Sequence, residues 1–166
     1  MQNFENTDEC IDWIEEAINK KHIKHYEYEH FNDFQVIGSG AFGKVFRASY
    51  NKAENYFALK SFFDLDSVTI KGIVREIMLQ RDVDYHDNII RFYGITKFVS
   101  DNQIYQSKNY LLVMEYANGG TLRDYLKKNF NRLTWDNKYN LAYQLACAVS
   151  CLHNEKIVHR DLVIFI

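Results

Sequence analysis

Gly38-Ser-Gly40-Ala-Phe-Gly43-Lys44-Val45 decides how the rest of the chain is read. Glycines at this spacing let backbone N–H groups approach phosphate oxygens where a Cβ would collide. By itself the spacing leaves a second use open, because dinucleotide-binding folds begin with the same pattern. The two uses differ in the element that comes after Gly43. A dinucleotide fold starts a helix there, with the pyrophosphate at its N-terminus. Lys44-Val45-Phe46-Arg47-Ala48 is instead strand-like, and no helical pattern resumes until Val68. The P-loop pattern also fails, since Gly43-Lys44 is followed by Val45 rather than Ser or Thr.

On either side of the glycines, the chain reads as short strands followed by helices. Phe34–Ile37 leads into the loop, and Lys44–Tyr50 with Tyr56–Phe62 makes a hairpin of β-prone runs. Val68 to about Asp82 places Ile73, Val74, Ile77 and Met78 at helical spacing. Ile89–Phe98 and Tyr110–Tyr116 read as another strand pair, joined by a polar, solvated stretch from Ser100 to Asn109. Thr121–Lys128 is a short helix. Thr134–His153 is a long one, with Trp135, Tyr139, Ala142, Leu145, Ala146, Val149 and Leu152 on its expected inward face. Ahead of all this, Asp8 to about His25 forms an amphipathic helix with Ile11, Ile14 and Ile18 on one face and Asn6 or Thr7 as its cap. That stripe is expected to pack on the following domain; the sharper alternative is a regulatory, partner-binding helix.

Ala58-Leu59-Lys60 resembles the Val-Ala-Ile-Lys strand of protein kinases, and it follows the glycines at a suitable distance. With it, residues from about 31 to 162 resemble the N-terminal lobe, hinge and first part of the C-terminal lobe of a eukaryotic protein kinase of the tyrosine-kinase-like group. His86-Asp-Asn-Ile-Ile-Arg-Phe-Tyr-Gly94 is similar to the segment leading into that family's fourth strand, with Asp87 in place of Pro. Leu111–Leu122 is similar to the fifth strand and hinge, and Ile157-Val158-His159-Arg160-Asp161-Leu162 to the catalytic loop. The Ile-Asp-Trp-Ile helix in tandem with these motifs also resembles a large fungal kinase family.

The resemblance implies an α+β, protein-kinase-like fold. A complete N-terminal lobe, a five-stranded antiparallel sheet plus one helix, would be joined to the first helices of a C-terminal lobe. The expected divisions are residues 1–30 as a helical extension, 31–116 as the N-terminal lobe, and 117–166 as the hinge and start of the second lobe. The implied function is phosphoryl transfer from ATP to a protein hydroxyl. Lys60 would grip the α- and β-phosphates, held by Glu76, and Asp161 would orient or accept the proton of the incoming hydroxyl. Gly38, Gly40 and Gly43 would cradle the phosphates. Val45 and Ala58 would roof the adenine slot, with Ile37 at its lip and Met114 as gatekeeper. Glu115 and Ala117 would offer backbone groups to the adenine edge, and Asp124 lies where ribose is often contacted.

Departures from the family's pattern set further expectations. The magnesium-binding asparagine belongs five residues after Asp161, where Ile166 stands, and no Asp-Phe-Gly follows. Magnesium needs oxygen donors, so the family's Mg2+ is expected while its ligands are missing here. The chain is thus expected to be an incomplete fragment, inactive by itself, or alternatively a non-catalytic kinase-like binding or scaffolding module. Gln80 takes the place of an apolar residue one turn after Glu76 unless the register shifts to Leu79, and His86 comes one residue later than the family places it.

Composition supports a globular chain and little else. Its 166 residues are 47% hydrophobic and 25% charged, with a net charge of −2, which gives no sign of affinity for nucleic acid or an anionic membrane. No run of 18 apolar residues exists, and the polar, acidic start argues against a targeting peptide. Cys10, Cys147 and Cys151 form no CxxC pair and suit reduced thiols in a cytoplasmic or nuclear protein.

Overall fold

The computed structural model describes residues 6–40, 43–62, 67–99 and 108–158. The chain divides into two compact units, residues 1–78 with 92–116, and residues 79–91 with 117–166.

The first unit is built on one sheet. Its strands are β1 (His25–Tyr26), β2 (Phe31–Ser39), β3 (Lys44–Tyr50), β4 (Tyr56–Lys60), β5 (Phe92–Val99) and β6 (Lys108–Glu115). Their order is β1-β5-β6-β4-β3-β2. The five antiparallel strands expected from sequence are all there. The sixth, β1, was not expected; it runs parallel to β5, with His25 opposite Ile95 and Tyr26 opposite Thr96. Among the described residues, two helices belong to this unit, α1 (Thr7–Asn19) and the greater part of α2 (Ser67–Val83).

α1 stops six residues short of the expected end, and its backbone explains why. Lys21 has φ 58, which an α-helix cannot carry. Instead the amides of His22 and Ile23 donate back to the Ala17 carbonyl, folding the chain so that Ile23 is buried. At the other end Asn6 is the cap, its Oδ1 accepting from the Glu9 amide at 2.8 Å.

Side chains alternate across a strand, so β6 feeds two cores. Tyr110 and Leu112 join Cys10, Ile14, Ala17, Ile23, Ile70, Ile73, Val74, Ile77, Phe92 and Ile95 on the helix-bearing face. Leu111 and Val113 join Tyr26, Phe31, Ala48 and Leu59 on the opposite face. The stripe of α1 therefore packs into the core of the following domain, as its spacing implies. The second core is aromatic: Tyr50 packs edge-on to Phe31 at 4.8 Å and to Tyr26 at 5.2 Å between ring centroids.

Tyr110 makes this core sensitive to alkali. It is 1% exposed, and its hydroxyl donates to Glu15 Oε1 at 2.8 Å. Burial pushes its phenol well above the ordinary value, and the hydrogen bond to Glu15 and that carboxylate's charge add to the effect. Below pH 10 the side chain is neutral in the folded and unfolded chain alike, so it adds no slope. Above that, the unfolded phenol loses its proton while the folded one keeps it, and stability falls by up to about 1.4 kcal/mol per pH unit. Urea midpoints measured from pH 8 to 11.5 are expected to fall less steeply in Tyr110→Phe than in the wild type; parallel curves contradict the assignment.

The second unit contains α3 (Leu122–Asn129), α4 (Trp135–Asn154) and the segment that ends α2 and leads to β5. Thr134 caps α4 through a reciprocal box with Asn137. The expected inward face of α4 is covered only in part: Leu145, Val149 and Leu152 are half-buried, whereas Trp135 and Tyr139 are 72% and 69% exposed and Ala142 and Ala146 are exposed as well. An amphipathic stripe is buried only where an element faces it. Near the end of α4, Cys151 is buried and its thiol donates to the Tyr85 hydroxyl at 3.4 Å. Lys138 Nζ lies 4.9 Å above the Trp135 ring, so the exposed aromatics are covered in part by a cation.

Candidate active site

Strand register brings the site together. Residues directly opposite in an antiparallel pair point to the same side. Val45 pairs with Lys60, Lys60 with Leu112, and Ala58 with Met114. Positions two apart on one strand share a face, so Val45, Ala58, Lys60 and Met114 line one side of the sheet. This is the side that Leu112 buries against α2. Val45, Ala58 and Met114 are half-buried there.

Lys60 meets Glu76 on this face. Lys60 Nζ donates to Glu76 Oε1 at 2.5 Å, with 34% and 27% of the two side chains exposed. The pairing expected across sixteen residues is therefore made. Phe62 adds a contact that the sequence pattern does not announce: its ring centroid lies 5.6 Å from Lys60 Nζ while the ring packs against the core. Thus a cation is held part-exposed on the strand paired with Val45, aimed by a carboxylate.

The glycines do different work. A Cβ on Gly43 would lie 1.8 Å from the Ser61 carbonyl oxygen, a collision with backbone that no rotamer relieves. Gly43 is needed for the close approach of β3 to the end of β4. Ser61, also unmarked in the sequence, fastens the same corner, donating from N to the Lys44 carbonyl at 2.8 Å and from Oγ at 3.1 Å. Gly40 by contrast has open space where its Cβ would stand, and its amide donates to the Gly43 carbonyl at 3.0 Å. Gly38 sits opposite Val45 at a β-bulge that shifts the register between Val36 and Gly38. That bulge leaves Ile37 44% exposed beside the loop. Ala41 and Phe42 lie outside the described residues.

The other expected residues fall in separate places. Glu115 ends β6 and is exposed. Ala117 and Asp124 belong to the second unit. Asp124 is exposed in the first turn of α3, where its carboxylate accepts from the Thr121 hydroxyl at 2.7 Å and its amide donates back to Thr121 Oγ1 at 3.1 Å. A Thr followed three residues later by Asp is a capping signal, a use of Asp124 distinct from the expected contact with ribose. Asp161 and Ile166 lie outside the described residues. Among the described residues no three His, Cys, Asp or Glu side chains converge as a metal site.

α2 runs unbroken through Val83, so no register shift brings Leu79 to the position of Gln80. Among the described residues, Gln80 Oε1 is buried with no hydrogen-bond partner. Just after the helix the His86 amide donates to the Val83 carbonyl at 3.1 Å.

Comparison with known proteins agrees with this geometry. The model of the protein kinase domain family matches residues 31–163. LIM domain kinase 1 of Drosophila melanogaster is 30% identical over 128 residues, covering 77% of this chain and 10% of that protein. A probable serine/threonine-protein kinase of Dictyostelium discoideum is 30% identical over 149 residues, 87% of this chain and 15% of its own length. An SNF1-like protein kinase of Schizosaccharomyces pombe is 32% identical over 152 residues, 89% of this chain and 23% of its own. The chain spans between 10 and 23% of the length of these relatives. With the glycine loop, the Lys60–Glu76 pair and this match together, the chain belongs to the eukaryotic protein kinase domain family.

Proposed function

We propose that this chain carries the phosphate-gripping half of an ATP-dependent protein kinase that transfers a phosphoryl group to a protein hydroxyl. The observation that carries this reading is the Lys60–Glu76 ion pair at 2.5 Å, on the sheet face that also presents Val45, Ala58 and Met114. A lysine fixed by a carboxylate loses little entropy when it takes up a phosphate oxygen, and the partly enclosed face strengthens that contact relative to open water. The adenine ring would lie under Val45 and Ala58 with Met114 behind it, meeting the backbone of Glu115. Ala117, Asp124 and Asp161 take their roles at the adenine edge, the ribose and the hydroxyl proton from the motif resemblance alone.

The chemistry of the remaining residues limits this chain. Ile166 offers no oxygen at the position where the family binds magnesium, so the donors for Mg2+ do not fit and no step is assigned to the ion. The proposed behaviour of residues 1–166 is therefore nucleotide binding without phosphoryl transfer. That substitution favours the second reading, a kinase-like binding or scaffolding module. Assignment to the tyrosine-kinase-like group, and to a large fungal family within it, rests on the motif resemblance. A regulatory partner would meet the outer face of α1, where Asp8, Glu9, Asp12 and Glu16 are exposed. Three free cysteines, two of them buried, suit a reducing compartment such as the cytosol or nucleus.

The test is a titration with a fluorescent ATP analogue, alongside an assay for transfer from ATP with magnesium. Saturable binding competed by ATP, with no transfer, is the expected result. Failure to bind at millimolar analogue overturns the nucleotide site, and transfer that Lys60→Ala abolishes overturns the inactivity.

A further inference from the structure

Helix α1 lies in the same core as the helix that carries Glu76. Cys10, Ile14 and Ala17 of α1 are buried in one cluster with Ile70, Ile73, Val74 and Ile77 of α2, the last of which adjoins Glu76. On its other side α1 is tied to the sheet. Glu15 accepts from Lys97 Nζ on β5 at 2.6 Å and from the Tyr110 hydroxyl on β6 at 2.8 Å. Both bonds are part-buried, which spares them much of the screening that weakens a surface pair.

The chain after α1 extends this attachment. Ile23 is buried, the Ile95 amide donates to the Lys24 carbonyl at 3.0 Å, and β1 then pairs with β5. α1 thus bridges the sheet that bears Lys60 and the helix that bears Glu76. α2 needs such support. It contains Gly72 and the β-branched residues Val68, Thr69, Ile70, Ile73, Val74 and Ile77, and its first turn has no acidic residue to oppose the helix dipole. A helix of that composition takes its position from what packs against it.

We infer that α1 is a positioning element for the Lys60–Glu76 pair. Ile14 and Glu15, acting through α2, hold Glu76 within reach of Lys60, and release of α1 lets α2 move and leaves the lysine without its partner. The consequence for nucleotide binding rests on the function proposed above. The consequence for the ion pair does not.

The experiment compares the full chain with Glu15→Gln, Ile14→Ala and, as a control on the exposed face, Asp12→Ala. Three quantities are read at a temperature where all are folded by circular dichroism: acetylation rate of Lys60 by mass spectrometry, amide exchange in α2, and affinity for the ATP analogue. Glu15→Gln and Ile14→Ala are expected to raise Lys60 labelling and α2 exchange about tenfold and to weaken analogue binding in proportion to the lost paired population; Asp12→Ala is expected to change none of them. Unchanged labelling in Glu15→Gln overturns the inference. So does exchange that quickens uniformly over the sheet and α2, the sign of a merely structural helix. If Ile14→Ala does not fold, Glu15→Gln decides. If the wild type binds no analogue, the nucleotide site fails while labelling and exchange still judge the role of α1.

Discussion

Gly94→Ala is expected to lower the stability of the first unit by about 3–5 kcal/mol, a loss at the upper end for single substitutions. Two effects act at once. Gly94 has φ +148, a conformation that L side chains rarely adopt. Its added Cβ would also stand 2.1 Å from the Lys24 carbonyl oxygen and 3.0 Å from the Lys24 carbonyl carbon. Because that neighbour is backbone, the strand must leave. Leaving breaks the bond from the Ile95 amide to Lys24 and draws Ile23 and Tyr26 out of the two cores they enter. Each such side chain contributes about 1.5–3 kcal/mol when buried. Thermal denaturation should show a midpoint lower by about 10 °C, with the Ile95 amide exchanging early. A midpoint within about 2 °C of the wild type would show that β1 does not depend on this contact.

The second large effect is on ligand affinity rather than on stability. Lys60→Met is expected to weaken binding of the ATP analogue by about 10- to 100-fold, the loss of a charge-assisted contact to phosphate. Glu76→Gln is expected to weaken it by about tenfold, because the ammonium keeps its charge but loses the carboxylate that aims it. Since the pair at 2.5 Å acts as a unit, the double variant should bind no more weakly than Lys60→Met alone. Thermal midpoints should move by only about 3 °C or less. With a quarter to a third of each side chain exposed, solvent screens the pair, and its own contribution to folding is about 1 kcal/mol or less. Additive losses in the double variant, or unchanged affinity in Lys60→Met, would place the phosphates elsewhere.

Most of the site is legible in the residue pattern. The glycine spacing, the strand-like run after Gly43 and the Ala58-Leu59-Lys60 strand are local signals, and local signals survive in sequence. Glu76 is legible because it sits within the apolar-striped part of the helix, whereas the helix's other acidic residue, Asp82, lies at its end. Ser61, Phe62 and the capping role of Asp124 do not stand out in the same way. The first two act across strands, where sequence distance hides proximity. The third hides behind a functional role that the same residue can fill.

β1 is illegible for a different reason. Two residues, His25 and Tyr26, carry no periodicity, and their partner is a strand far along the chain. The end of α1 escapes notice because the left-handed turn at Lys21 replaces a glycine signal with a lysine. The exposed face of α4 shows the converse limit: an apolar stripe in the sequence states what can be buried, and only a facing element determines whether it is.

Residue order alone was enough for the glycine loop and, through the order of motifs that carries the family resemblance, for the identities of the paired charges, because these depend on residue type and on spacing along the chain. Three-dimensional packing decided which residues of the sheet and of α2 the α1 stripe meets, that Gly94 is held by a backbone contact, and that Lys60 is shared between Glu76 and the Phe62 ring. Each of those depends on atoms brought together by chain reversal and packing, which no local pattern encodes.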